Sequence, residues 1–187
     1  MADSDAYLNP LAAPGISVAL DPEMSVMSLR YFEPHGPFAA ALWRCLGLQL
    51  PLEPHTIEVA DPRLPTLLAW RRPGECLLLC WDSALIESVA TATVGLGDGR
   101  AINITGGVCV IRIGGPETSG LLSRIGCHDS MPAPRSSRAT RIADLPVVLL
   151  RTDALDVHLL VDRVYLEHMM DWLRVSIEDT GVVAASY

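Results

Sequence analysis

Apolar residues fall along the chain in two kinds of run. Met27 to Phe32, Thr66 to Trp70, Glu75 to Cys80, Val108 to Ile113, Val147 to Arg151 and Val157 to Val161 are short, dense in aliphatic residues and bounded by turn formers, which predicts strands. Between them apolar positions recur at helical spacing: Phe38, Ala41, Leu42 and Cys45; Leu85, Ile86 and Val89; Leu121, Leu122 and Ile125. The last such set, Leu166, Met169, Met170, Leu173 and Ile177, forms one stripe at i, i+3, i+4, i+7 and i+11. Gly36-Pro37 and Gly115-Pro116 put proline at a first helical position, where its missing N–H costs nothing, and Gly47 and Gly126 stand where a left-handed residue ends each helix. Ser83 reads as a cap, Asp162 precedes the last helix, and Gly95 and Gly181 read as stops. Arg72-Pro73-Gly74 and Asp153 to Asp156 turn two hairpins, and further strands are expected around Ala101 to Ile104 and Ser137 to Ile142.

The order of elements repeats. At an ungapped offset of 82, Arg30 falls on Arg112, Pro34 on Pro116, Cys45 on Cys127, Leu67-Leu68 on Leu149-Leu150 and Leu77-Leu78 on Leu159-Leu160. The fold class expected is α+β: two strand-helix-hairpin-helix units, residues 24–95 and 101–181, closed by pseudo-twofold pairing into one domain, 24–187, with mostly antiparallel sheets and a single core. Residues 1–23 carry Pro10, Pro14 and Pro22 and no periodicity, so an extended arm is expected. Tyr7, Leu8, Leu11, Ile16, Val18 and Leu20 are too many apolar groups for a free tail, and the arm docks either on its own domain or on another subunit.

Composition narrows the chemistry. All 14 basic residues are arginine, which removes mechanisms built on a lysine amine, and a net charge of −8 with scattered arginines argues against nucleic acid as a partner. No apolar run reaches about 18 residues and the N-terminus is acidic, so no membrane span or secretory leader is expected and a cytoplasmic protein is read. Five irregularly placed cysteines suit reduced core thiols. Gly95-Leu96-Gly97-Asp98-Gly99 follows a helix and precedes a strand, the reverse of a dinucleotide fingerprint, and reads as a flexible connector. Gly114-Gly115-Pro116-Glu117 lies between strand and helix, where an anion site is conceivable but Glu117 already supplies the negative charge. Cys127-His128-Asp129 has catalytic residue types, yet nucleophile and base normally meet through the fold, so a structural thiol is favoured. His35, His55, His158 and His168 show no metal-ligand spacing, and His168, beside Glu167 and Asp171, reads as part of a solvated helix face. No catalytic, cofactor-binding or metal residue is assigned. Of four tryptophans, Trp43 and Trp172 fall on helices and Trp70 and Trp81 flank the first hairpin. Trp70, followed by Arg71-Arg72, joins Tyr7, Leu8 and Leu11 as candidate partner contacts.

The second copy carries a resemblance in Val108 to Ile113, Gly115-Pro116, the loop to Arg138, Leu145 to Arg151, Val157 to Val161 and Leu166 to Leu173, ending in Asp171-Trp172-Leu173. Pro73-Gly74-Glu75-Cys76-Leu77-Leu78-Leu79 extends it to the first copy. These stretches, over about residues 27–178, resemble the gamma subunit of heterotetrameric sarcosine oxidase, which is similar to the folate-binding domain of the glycine-cleavage aminomethyltransferase, or T-protein. The resemblance implies a non-catalytic subunit without a cofactor that contacts the alpha subunit of a complex converting sarcosine to glycine, formaldehyde and hydrogen peroxide. It places FAD and FMN in beta, NAD and tetrahydrofolate in alpha and zinc in delta. Asn103-Ile104-Thr105 stands where relatives often have an Asp-x-Ser turn, so no functional residue is carried over. Two alternatives stay open: the gamma subunit of a related N-methyl amino-acid dehydrogenase, and a stand-alone folate-binding one-carbon enzyme using Asp98, Asp144 or Asp153.

Overall fold

A computed structural model describes residues 9–59, 66–126, 131–152 and 155–184. The strands are β1 (Leu11–Ala13), β2 (Ile16–Leu20), β3 (Ser25–Tyr31), β4 (Thr56–Val59), β5 (Thr66–Arg72), β6 (Glu75–Cys80), β7 (Gly99–Asn103), β8 (Val108–Gly114), β9 (Ser136–Ile142), β10 (Leu145–Arg151) and β11 (Asp156–Asp162). The helices are α1 (Pro37–Leu46), α2 (Ser83–Thr93), α3 (Thr118–Ile125) and α4 (Leu166–Ala184). The fold is α+β, and every strand pairing whose register is described is antiparallel.

The duplication is visible in strand order. One sheet runs β4-β5-β6-β3-β7 and the other β9-β10-β11-β8-β2-β1, so each has a hairpin, then the opening strand of its copy, then an outer strand. Position for position β7 corresponds to β2, although β7 follows α2 and β2 lies in the N-terminal arm. Residues 11–20 of the arm therefore form a hairpin that turns at Pro14-Gly15. Val18 pairs with Ile113 across β2 and β8, and Ile16 and Val18 are buried.

Two compact units result. One contains Glu23–Gly106 with Arg135–Arg138; the other joins the arm up to Pro22 with Gly107–Pro134 and the chain from Ala139 onward. Each encloses its own hydrophobic cluster, where one shared core was expected. The first packs Met27, Leu29, Leu68 and Leu78 against Phe38, Leu42, Ile86 and Val89 of α1 and α2. The second packs Ile111, Ile113, Leu149 and Leu159 against Leu121, Leu122, Met169, Met170 and Leu173 of α3 and α4.

The ungapped repeat needs a one-residue correction in the hairpins. Leu68 pairs with Leu78 and Leu149 with Leu159, and these four enter the clusters, so Leu68 is the counterpart of Leu149. The offset of 82 matched Leu67 instead, which lies on the other face, because strand side chains alternate and a slip of one reverses them. Both faces of these strands are buried, so continuous apolar runs hid the error.

Several helix ends also differ. Gly47 ends α1 at φ 67, its N–H donating to the Trp43 carbonyl, as expected. Asp82, not Ser83, caps α2, accepting from the Ala84 N–H at 2.9 Å. α3 starts at Thr118, beyond Pro116, and Gly126 is extended rather than left-handed. A single 3-10 turn, Arg163–Tyr165, leads into α4, which passes through Gly181 to Ala184. The apolar stripe of α4, seated on its sheet, outweighs the local cost of one glycine.

Candidate functional site

The polar groups singled out in the sequence are largely engaged in holding the chain together. Asp98 accepts from the Phe38 N–H through both carboxylate oxygens, at 3.0 and 3.2 Å, and so caps α1 from across the fold. A Cβ on Gly36 would overlap that carboxylate and one on Gly99 would overlap the Phe38 ring, so the glycine-rich segment is a fitted contact and not a loose connector. Asp144, at φ 62, follows Ala143, at φ 48, in the two-residue turn joining β9 and β10. Positive φ at both central residues makes this a type I′ turn. Asp153 and Cys127-His128-Asp129 lie outside the described residues.

The backbone donors at Gly114 to Glu117 are spent within the chain. Gly115 N–H donates to the Leu155 carbonyl, Glu117 N–H to the Gly15 carbonyl, and Thr118 N–H to the Gly115 carbonyl. Asn103-Ile104-Thr105 is a local clasp. The Asn103 side chain accepts from Thr105 N–H at 3.0 Å, and the Thr105 hydroxyl accepts from Val26 N–H at 2.9 Å.

Burial pushes the Cys76 thiol up to about 12, reinforced by the neighbouring Glu75 charge and only partly offset by the Tyr31 hydroxyl. Burial also raises Cys80 and Cys109, which keeps these thiols protonated and poorly nucleophilic near neutral pH. Among the described residues no group of three or more histidine, cysteine or acidic side chains is placed to hold a metal ion.

The most concentrated electrostatic feature is one that sequence reading passed over. Glu75, at the start of β6, is 1% exposed. It accepts from the Ser28 hydroxyl at 2.7 Å, from Arg71 at 3.0 Å and from Arg72 at 2.5 Å, with Arg30 at 3.8 Å. Burial alone would raise its carboxyl, but the Ser28 hydrogen bond and the two guanidinium groups more than offset that and hold it below the usual carboxylate range. The signal available in sequence was a lone acid inside an apolar strand, four residues from Arg71 and three from Arg72.

The candidate contact residues have different fates. Tyr7 and Leu8 lie outside the described residues. Leu11 pairs with Val18 and packs, half-buried, on the cluster of its own unit. Trp70 is half-buried on β5; its indole N–H is buried without an acceptor, while its carbonyl accepts from the Ser137 hydroxyl. The outer side of α4 is the more exposed apolar surface. His168, Asp171, Trp172 and Val175 line a shallow cleft of about 300 Å³, and Trp172 is 46% exposed. A second helical stripe, residues 165, 168, 172 and 175, would have pointed to it.

No protein-family model matches the chain. It is 28% identical over 138 residues to the sarcosine oxidase gamma subunit of Arthrobacter sp and 27% identical over 142 residues to that of Corynebacterium sp. (strain P-1). Each alignment covers 72% of this chain and 66% of the relative, so the match spans just under two thirds of those proteins. In fold it is similar to a chain of heterotetrameric sarcosine oxidase from Corynebacterium sp. U-96, solved with pyrrole 2-carboxylate. There the TM-score is 0.79 at 22% identity, covering 92% of this chain and 89% of that one. It is also similar to the glycine cleavage system aminomethyltransferase T of Bartonella henselae, with a TM-score of 0.66 at 9% identity over 85% of this chain and 45% of that one.

Proposed function

We propose that this chain, related in sequence to the sarcosine oxidase gamma subunits and sharing their fold, is the gamma subunit of a heterotetrameric flavoenzyme that demethylates sarcosine, and that it acts through assembly. The observation carrying this reading is the agreement of two comparisons, in sequence over 72% of the chain and in fold over 92%. Three of its carboxylates are engaged in holding the chain together, which agrees with a supporting role: Asp98 caps a helix, Asp144 stands in a tight turn and Glu75 is enclosed by guanidinium groups.

In the reaction proposed for the complex, the N-methyl carbon of sarcosine is oxidised and leaves as formaldehyde, with water supplying its oxygen. Glycine remains, and dioxygen takes the two electrons to become hydrogen peroxide. That chemistry is assigned to FAD and FMN on the beta subunit, with NAD and tetrahydrofolate on alpha and zinc on delta. This chain buttresses alpha in the cytoplasm. Among the described residues no helix is long and apolar enough to cross a membrane.

The test is to express alpha, beta and delta with and without this chain. The expected result is that omission lowers the yield of assembled complex and its sarcosine-dependent peroxide production, and that adding back the purified chain restores both. Full assembly and turnover without it would overturn the proposal.

A further inference from the structure

We infer that the arginine cluster around Glu75 is a docking surface for an acidic segment of a partner polypeptide. The inference rests on the assembly role proposed above for the existence of a partner, and adds the chemistry of its contact surface.

Cross-strand register builds the patch. Arg72 pairs with Glu75, Glu75 with Arg30, and Arg30 with Arg100, so residues of β5, β6, β3 and β7 form one row across the sheet. Arg71 reaches the same carboxylate. Three guanidinium groups, those of Arg30, Arg71 and Arg72, thus lie within 4 Å of one carboxylate, with Arg100 next along the row beside Arg30, a local excess of positive charge in a chain of net charge −8.

Glu75 cannot neutralise them all, because it is enclosed and already accepts from Ser28, Arg71 and Arg72. The side chains of Arg30 and Arg72 stay 56% and 61% exposed, and Arg100 has no ion-pair partner among the described residues. Arg30 and Arg100 stand directly opposite in an antiparallel pair, where like charges destabilise a sheet. An anionic partner would relieve that repulsion. Arginine's planar fork suits the paired oxygens of a carboxylate, and Glu75 holds two of the forks in place before any partner arrives. Phe32, two residues beyond Arg30, is 83% exposed and adds an aromatic anchor, a pairing typical of protein interfaces. The compact patch and the acidic remainder of the chain favour a polypeptide over an extended nucleic acid.

The test uses the purified full chain and a fluorescein-labelled oligoglutamate peptide, with binding followed by fluorescence anisotropy at low and physiological salt. The variants are Arg30→Glu with Arg100→Glu, Arg100→Glu alone, and Arg44→Glu on α1 as a control. Arg100→Glu touches no described ion pair and serves if the double variant fails to fold.

The expected result is saturable binding that salt weakens, reduced about tenfold by the double variant, less by Arg100→Glu alone and not at all by Arg44→Glu. No binding to the peptide, equal binding by the Arg100 variants, or equally tight binding of an oligouridylate would overturn the inference. Tagged chain recovered from its own cells without a flavin-containing partner would count against the assembly role, while the peptide titration still judges the patch.

Discussion

A carboxylate sunk in a sheet has to be met by donors or carry a proton, and Glu75 shows which solution this chain uses. With its ionised form favoured in the folded state over the ordinary value of 4.5, Glu75 contributes stability that is complete above that value. The contribution is lost as pH falls through the depressed folded value. Glu75→Gln is therefore expected to cost about 2 kcal/mol at neutral pH, moderated by the exposure of its arginine partners. Urea titrations of both proteins should show the gap narrowing as the pH drops below about 4. A gap that is constant across pH, or that widens in acid, would show that the carboxylate's charge is not what matters. Asp98 illustrates the limit of reading such residues from sequence. Its neighbours Gly97 and Gly99 suggested a mobile link, yet its carboxylate meets an N–H sixty residues away. Nothing in the local sequence records that meeting.

At the level of elements, periodicity is a good guide wherever a single face is buried. The stripe of α4 and the helical spacing of α1 and α3 led to their cluster residues, and the hairpins β5-β6 and β10-β11 were legible from apolar runs separated by turn formers. Facing within those hairpins was not legible, since Leu67 and Leu77 are as buried as Leu68 and Leu78. The junction of the arm with the second copy was missed for a related reason: a close approach of two backbones leaves only glycines as its trace. Gly115, at φ 116, lies against Gly15, at φ 78, and a Cβ on Gly115 would overlap the Gly15 carbonyl. Gly115→Ala is expected to cost about 2 kcal/mol or more and to loosen the β1-β2 hairpin. Hydrogen exchange checks it, with amides of residues 16–20 losing protection while those of residues 27–31 keep theirs. Unchanged protection would mean that the approach tolerates a side chain.

For the whole molecule, the duplication governs the layout, but the chain does not cut at the repeat boundary. The first copy takes its outer strand, β7, from the segment after α2, whereas the second takes β2 from upstream of the first copy. Removing residues 1–22 should strip Ile16 and Val18 from the second cluster and leave β8 with an open edge. At about 2 kcal/mol for each buried aliphatic side chain, the second unit is expected to lose about 4 kcal/mol, seen as a lower first transition in thermal denaturation. The first unit, with its separate cluster, should melt as before. A single unshifted transition would show that the arm adds nothing to the fold.

Sequence alone determined the alternation of strand and helix, the twofold repetition, the absence of lysine chemistry and a resemblance to an oxidase subunit. These follow from properties carried by single residues or by neighbours a few positions apart. Only the tertiary structure decided that the arm completes the second sheet, that Asp98 closes the first turn of α1, and that three arginines gather on one carboxylate. Each depends on pairing between strands or loops far apart in the chain, and the spacing of residues along a polypeptide does not encode which distant segment will supply the missing hydrogen-bond partner.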